Sequence, residues 1–358
     1  MTATPDEPPP PRPRWQNPAA LQSAALALVA AAAAWFLLAQ LAAVFRPLLM
    51  AALLAYLLLP YHTRLRTQVS GPASLLLLGS ATAGVLVVLA LAVYASVLGL
   101  REELPRLQAR AVELVHQADA TLAVRLPWPG PGPPDGKRPE ERLAEQAARL
   151  AQPVLNAAAD ALLEACLVGL YLLFLLMEAS RFPDRVRHAY APERAEEILR
   201  VAGQVNAAVV SYLKAKVKSS LVLAVPVGLV LWGFGVRFAL LWAVLTFLCN
   251  FIPYIGSVVA FTLPTGFAFL QLDFDWQPFA AAGLLLACHV TSASVVEPLI
   301  LGHAVGLSPL VVLGSLAFWG LLWGIPGMFL AVPLTAVAVI VMEHFAFTRP
   351  VARMLGGG

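Results

Sequence analysis

The chain has little charge and very few cysteines for its length. Only 13% of its residues are charged, whereas a soluble domain carries about 25%. Its three cysteines, Cys166, Cys249 and Cys288, each lie in an apolar run, which favours small buried side chains over a disulfide framework or a metal site. The 24 basic and 21 acidic residues leave a net charge of +3, too small to indicate a nucleic-acid partner.

Sequence motifs of enzymes are missing as well. Walker A, HExxH and CxxC sequences do not occur, so the chain offers no support for ATP hydrolysis or metal catalysis. His289 with Ser292 and Ser294 could form a protease dyad, but the nucleophile-elbow motif is absent. We therefore predict that the protein is not an enzyme and needs no cofactor.

The chain does contain long apolar runs, and 59% of its residues are hydrophobic. These runs predict an all-α integral membrane protein in the lipid bilayer with about eight transmembrane helices, if the short apolar pieces pair into broken or re-entrant hairpins. Prolines at Arg46–Pro47 and in the segment 325–327 are expected to turn the chain, because proline lacks a backbone donor and clashes one turn back.

Composition divides the chain into five regions. We predict a disordered proline-rich cytoplasmic tail, N-terminal transmembrane helices, an extracytoplasmic insertion of amphipathic helices, a C-terminal transmembrane transport region and a second cytoplasmic tail, over 1–18, 19–100, 101–160, 161–348 and 349–358. The Pro/Gly run at 127–134 divides the insertion into two helices with a flexible tip. The insertion is either a solvated cap or a ligand-binding domain.

Basic residues predict the orientation, since cytoplasmic segments near span ends carry an excess of Lys and Arg. The amphipathic segment 181–218 holds more basic than acidic residues and is predicted to be cytoplasmic. Threading the spans from there places Asp273 and Asp275 outside and both termini in the cytoplasm.

The segment FIPYIG at 251–256 breaks a strongly apolar stretch between Phe238 and Leu270. A helix on either side would be roughly 18 Å long, against a hydrocarbon core of about 30 Å. In lipid, irregular backbone is tolerated only where protein or a water-filled cavity satisfies it. The break therefore predicts a re-entrant hairpin that lines a pathway.

Residues in this break are candidates for the pathway. Asn250 could bond carbonyls freed at the break, or a hydroxylated substrate. Pro253 and Gly256 are expected to shape the turn, because proline lacks a donor and glycine reaches backbone angles closed to other residues. Tyr254 belongs either to an interfacial aromatic belt or to the lining of the pathway.

A second group of candidates surrounds Glu297. A carboxylate near the end of an apolar span is costly unless it meets water, a cation or a partner, or lies at the cytoplasmic edge. Pro298 is expected to end the helix there. Gly302 and His303 follow in a loop, where the histidine either takes part in proton coupling or is simply solvated.

Three segments carry a family resemblance. FIPYIG at 251–256, VVEPLILGHAVGLSPLVVLGSLAFWG at 295–320 and GIPGMFLAVPL at 324–334 resemble the signature regions of the autoinducer-2 exporter family of bacterial membrane proteins. The chain departs from the family pattern at Ser257, where a proline is frequent, at Ala215, where glycine is common, and at Leu299, where arginine usually follows the EP pair. Without that arginine, Glu297 has no evident partner in the sequence.

The resemblance implies an inner-membrane transporter that assembles as a homo-oligomer, a pentamer, and exports small molecules such as autoinducer-2. Some relatives resemble sodium/proton antiporters instead, so the substrate is either a small molecule or an ion. Three hypotheses follow: an exporter of a small polar signal, a cation/proton antiporter that uses Glu297 and His303, and a non-transporting envelope scaffold.

Overall fold

The computed structural model describes residues 18–65, 67–125, 139–179, 181–273, 275–301, 307–345 and 347–356. Over these residues the chain is helical, with turns between the helices and one isolated bridge pair, Leu307 with Gly356. The predicted all-α membrane class is confirmed. Apart from Pro18, the predicted N-terminal tail lies outside the described residues, as does the predicted tip at 127–134.

Twelve helices and one π-helical turn are numbered here in chain order within the described residues. Helices α1 to α6 are Pro18–Gln40, Ala42–Leu65, Gly71–Arg125, Pro139–Ala179, Phe182–Ala189 and Pro192–Gly233. Helices α7 to α9 are Ala239–Cys249, Ile255–Gln271 and Trp276–Thr291. The π-helical turn Ser292–Val296 follows, and then α10 to α12 at Glu297–Leu301, Pro309–His344 and Arg349–Leu355.

Six helical segments among the described residues are long and apolar enough to cross a membrane. They are 42–62, 71–110, 152–179, 192–233, 276–300 and 309–344. Three shorter apolar helical segments, 28–40, α7 and α8, accompany them. The protein is therefore a multi-pass membrane protein in which full-length spans and short apolar pieces are combined.

Helix α3 passes without a break from its apolar part into the insertion. Its 55 residues correspond to about 80 Å at about 1.5 Å per residue, far more than the hydrocarbon core of about 30 Å. Helix α4 likewise runs from Pro139 through residue 160 into its apolar part. Both arms of the insertion are thus continuous with spans that pack against each other.

The first bend of the chain lies upstream of the predicted place. A turn at Leu41 separates α1 from α2, and α2 continues through Pro47. The prediction of a turn at Arg46–Pro47 was wrong in position, because the proline ring crowds the helical turn before it and the chain bends there instead. The bend is fixed from another helix, since Trp323 Nε1 donates to the carbonyl oxygen of Leu38 at 3.0 Å.

The predicted turn in the last apolar region is present. Gly324 has a φ of 68° and a ψ of −144°, so α11 consists of two arms, 309–323 and 325–344. The arms fold onto each other, because Trp319 Nε1 donates to Thr335 Oγ1 at 3.2 Å. A Cβ on Gly327 would lie 2.0 Å from the carbonyl oxygen of Trp319, so only glycine permits this approach.

Helices α7 and α8 form a second hairpin, with FIPYIG at its tip. Trp242 of α7 packs on Phe267 of α8 with ring centroids 5.2 Å apart. At the tip, Phe251 stacks on Phe329 of the α11 hairpin with centroids 4.4 Å apart. The tip of one hairpin is therefore buried against the other hairpin, in a core cluster that also contains Tyr212 and Leu213 of α6.

Polar contacts hold the opposite end of the α7–α8 hairpin. Gln271, at the end of α8, accepts from the backbone N–H of Arg237 at 2.7 Å and donates to the carbonyl oxygen of Gly235 at 2.9 Å. Arg237 also pairs with Glu103 of α3. These bonds connect the base of the hairpin to the part of α3 that lies in the predicted insertion 101–160, which we call the projecting part of α3.

The C-terminal segment 349–358, predicted as a tail, contains a short packed helix. Ala352 of α12 is fully buried, and α12 packs against α11. Thr348 Oγ1, just before α12, donates to the carbonyl oxygen of Met342 at 2.7 Å. The segment is therefore folded onto the last span as far as Gly356.

Candidate functional site

Glu297 forms an ion pair with Lys216 of α6. Lys216 Nζ donates to Glu297 Oε1 at 2.7 Å, across 81 positions of sequence. The lysine side chain is 4% exposed and that of the glutamate 32%. Burial strengthens the attraction between the charges, although removing both from water offsets part of that gain. Glu297 thus has the partner that the sequence did not reveal.

The π-helical turn places Glu297 opposite α6. Buried positions Leu285, His289 and Ser292 follow the helical period along one side of α9 and into the turn. The backbone N–H of Glu297 then donates to the carbonyl oxygen of Ser292, five residues earlier. This wider turn inserts one residue into the period, as π-turns at functional sites commonly do. It brings the carboxylate round toward Lys216.

One side of α6 carries buried polar residues, which we call the α6 polar face: Tyr212, Lys216, Ser219 and Ser220. Lys216 lies four positions after Tyr212, and Ser219 and Ser220 lie three and four positions after Lys216, so all four share one side of the helix. Ser219 Oγ donates to the carbonyl oxygen of Lys216 at 3.1 Å. The face continues as apolar core at Leu223 and Val227. The polar side chains are therefore confined to a short stretch of the buried surface.

Asn250 meets the same face one turn further along α6. Its Nδ2 donates to Ser220 Oγ at 3.0 Å, and both residues are buried. Ser220 lies four residues after Lys216, so the bond to Asn250 and the ion pair to Glu297 occupy neighbouring turns. Two candidates 47 positions apart in sequence are thereby brought to one place on α6.

The break in FIPYIG is a γ-turn. Ile255 N donates to the carbonyl oxygen of Pro253 at 2.7 Å, around Tyr254 with a φ of 64° and a ψ of −62°. This form of γ-turn is rare and strained for a residue with a side chain. Gly256 follows, and a Cβ there would lie 1.7 Å from the carbonyl oxygen of Cys249. The turn is therefore fixed by its backbone, as expected for Pro253 and Gly256.

The remaining candidates have different surroundings. Tyr254 is 60% exposed at the tip, which suits either of its two interpretations. Pro298 is exposed and lies inside the short helix α10, so it does not end the helix as expected. A proline ring crowds the carbonyl oxygen four residues earlier, here that of Ser294, and the wider π-helical turn around Ser294 accommodates it. Gly302 and His303 lie outside the described residues.

Several buried polar atoms near the α6 polar face have no hydrogen-bond partner among the described residues. They are Tyr212 Oη, Thr246 Oγ1, Ser292 Oγ and His289 Nε2. His289 uses its other ring nitrogen on the carbonyl oxygen of Leu285 at 2.9 Å. Ser292 and His289 are therefore not hydrogen-bonded to each other as a protease dyad. Unpartnered groups of this kind can bind water or a ligand.

Lys216 and Ser220 were not identified as site residues from the sequence. Lys216 stands in KAKVK, between Lys214 and Lys218, and all three contribute equally to a basic segment. The available signal is the spacing: a helix places Lys216 on the side of Tyr212 and Ser220, and turns the other two lysines away.

The AI-2E family transporter model matches residues 24–347 of the chain. YhhT of Escherichia coli (strain K12) is 33% identical over 217 residues, which cover 60% of this chain and 61% of YhhT. The AI-2 transport protein TqsA of the same strain is 34% identical over 202 residues, covering 56% and 58%. MT0215 of Mycobacterium tuberculosis (strain CDC 1551 / Oshkosh) is 33% identical over 221 residues, covering 61% and 57%. The chain thus spans about three-fifths of the length of these curated relatives.

Proposed function

Since the chain belongs to the AI-2E family of transporters, we propose that it exports a small polar molecule, such as AI-2, by alternating access of its broken helices. TqsA, one of its relatives, is named an AI-2 transport protein. The side chains gathered on α6 suit a ligand with several hydroxyl groups.

The observation that carries this proposal is the meeting of three elements at the α6 polar face. Asn250 reaches it from the tip of the α7–α8 hairpin, and Glu297 reaches it from the segment after the π-helical turn. Polar and charged side chains within an apolar span are expensive and usually mark a pathway. Amide and hydroxyl groups both donate and accept hydrogen bonds, which suits hydroxylated ligands.

The short helices support a pathway through this region. Helix α7 has 11 residues and α8 has 17, and each is shorter than the ~20 residues that a membrane helix needs. We propose that the hairpin is re-entrant and moves with the segment after Glu297 against the other spans. The proposed pathway residues are Asn250, Pro253, Tyr254, Gly256, Glu297, Pro298, Gly302 and His303.

The proposal includes the setting of the protein. We place it in the inner (plasma) membrane with both termini in the cytoplasm, following the positive charge of segment 181–218. We further propose a homo-oligomer, a pentamer, as the family resemblance implies. Large exposed apolar side chains such as Trp232 and Leu321 suit contact with lipid or with neighbouring subunits.

The antiporter hypothesis has weaker support. It was based on Glu297 and His303, but the carboxylate of Glu297 already holds the ammonium of Lys216, and His303 lies outside the described residues. No observation on the described residues favours the envelope scaffold. The exporter is therefore the function that the contacts support best.

Flux into and out of proteoliposomes tests the proposal. Vesicles that contain the purified full chain are loaded with labelled AI-2 or with another small hydroxylated solute, and efflux is compared with that of empty vesicles. We expect faster efflux with at least one such solute. Efflux equal to that of empty vesicles for every solute would contradict the proposal.

A matched pair of variants locates the pathway. Asn250→Leu removes a buried amide that bonds Ser220, whereas Asn156→Leu removes an exposed amide on α4. We expect the first variant to lower efflux at least tenfold and the second to leave it unchanged. Equal efflux from both variants, with both folded, would show that Asn250 lies outside the pathway.

A further inference from the structure

Three lysines stand at alternate positions of α6, and one of them is buried. Lys214 and Lys218 are exposed, whereas Lys216 is 3% exposed. Alternate residues on a helix point to nearly opposite sides, so the fold selects Lys216 alone for the interior. An ammonium placed there is costly unless an anion compensates it.

Glu297 supplies that anion from a segment with an altered helical period. The π-helical turn brings its carboxylate to 2.7 Å from Lys216 Nζ. The two charges compensate each other at a place where the lysine is buried. A carrier that used this carboxylate for an external cation would first have to displace the ammonium.

Two further hydroxyl groups belong to residues beside the pair. Tyr212 lies one turn before Lys216 on α6, and Ser292 lies one π-turn before Glu297. Both are buried and have no partner among the described residues. Alkali cations take oxygen ligands, and in carriers they bind where helices are broken and carbonyl groups are released. Without the ammonium, a carboxylate and two hydroxyl groups would remain.

We propose that the Lys216 ammonium fills a site for a monovalent metal cation, formed around Glu297 with the Tyr212 and Ser292 hydroxyl groups. The protein then carries a tethered cation in place of a bound metal ion. Transport is consequently independent of sodium. Only the sodium independence of transport rests on the proposed function. The cation site itself is tested by sodium binding, without any measurement of transport.

Thermal unfolding of the purified full chain in detergent tests the site. The apparent Tm is measured in sodium chloride and in choline chloride at equal ionic strength, at about pH 8, where an ordinary carboxylate is ionised. We expect the wild type to give the same Tm in both salts. Lys216→Met should have a lower Tm in choline, and sodium should raise it by several degrees, because a ligand that binds only the folded state stabilises it.

Two further variants separate the site from general effects of salt. Lys218→Met removes an exposed lysine of the same helix and should behave like the wild type. Lys216→Met combined with Glu297→Gln lacks both charges, so its Tm should not respond to sodium. If Lys216→Met does not yield folded protein in either salt, Lys216→Gln, which keeps an N–H donor for the carboxylate, replaces it in the same comparison.

Two results would overturn the inference. A Tm of Lys216→Met or Lys216→Gln that is equal in sodium and choline would show that no cation site remains without the ammonium. A sodium-dependent Tm of the wild type, absent in Glu297→Gln, would show that Lys216 does not fill the site.

Flux provides an independent readout. Wild-type efflux should not depend on a sodium gradient, whereas efflux through Lys216→Met should require sodium. Absence of wild-type efflux for every solute would contradict the proposed function and leave the Tm comparison valid. Sodium-driven efflux by the wild type would contradict the inference while supporting the exporter.

Discussion

The ring of Phe251 stacks on that of Phe329, with centroids 4.4 Å apart and planes inclined by 21°. Phe251 opens the tip of the α7–α8 hairpin, and Phe329 lies five residues after Gly324, where the α11 hairpin turns. The two hairpins therefore touch near their turns. Asn250, directly before Phe251, is held beside α6 by this contact and by its bond to Ser220.

Gly256→Ala should destabilise the protein strongly. The new Cβ would lie 1.7 Å from the carbonyl oxygen of Cys249, so the tip has to open, at a cost of about 1–3 kcal/mol or more. Gly266→Ala is the control, because nothing lies within 4 Å of a Cβ in that part of α8. Thermal unfolding in detergent should show a lower Tm for the first variant alone; equal Tm values would contradict the close approach.

Tyr254→Gly should maintain or raise stability. The tyrosine ring is largely exposed, and its φ of 64° costs about 1–3 kcal/mol of strain that glycine relieves. Tyr190→Gly provides the comparison, because that exposed tyrosine has an ordinary φ of −127° and glycine there only adds flexibility. A fall in Tm for Tyr254→Gly as large as that for Tyr190→Gly would mean that the ring, rather than the backbone, determines the turn.

Asn250 and Ser220 should show coupled effects on stability. Their hydrogen bond is buried, so removal of either partner leaves a polar group unsatisfied, whereas removal of both does not. A double-mutant cycle of Asn250→Ala and Ser220→Ala should give a coupling free energy of about 0.5–1.5 kcal/mol. Additive changes in the free energy of unfolding would argue against the bond.

Cysteine labelling should locate Asp273 outside the cell and Arg187 inside. Asp273 has a side chain that is 99% exposed and pairs with Arg110 of the projecting part of α3, and Arg187 of α5 is 55% exposed. In a variant without Cys166, Cys249 and Cys288, a membrane-impermeant maleimide should label Asp273→Cys in intact cells, and Arg187→Cys only after permeabilisation. The reverse pattern would invert the proposed orientation.

Much of the fold follows from local chemistry. The break at FIPYIG and the turn near Pro326 were predicted because proline and glycine interrupt apolar helices directly in the sequence. The family resemblance carried by the same segments is confirmed by the match over residues 24–347. The bend near Pro47 was predicted a few residues too late, because a proline disturbs the helical turn before it rather than its own position.

The partner of Glu297 could not be derived in this way. Lys216 lies 81 positions earlier, and nothing local connects the two residues. Their meeting depends on how α6 packs against α10 and on the extra residue of the π-helical turn. Long-range pairing of this kind is a property of the packed structure, not of the local sequence.

The close approach of Gly256 to the carbonyl oxygen of Cys249 limits how the α7–α8 hairpin can deform. The arms α7 and α8 are in close contact at the tip, and Gln271 bonds the backbone just before α7 at the base. The two arms therefore cannot separate from each other at either end. In the proposed alternating access, a route past Asn250 would therefore open through a rigid-body shift of both arms along α6.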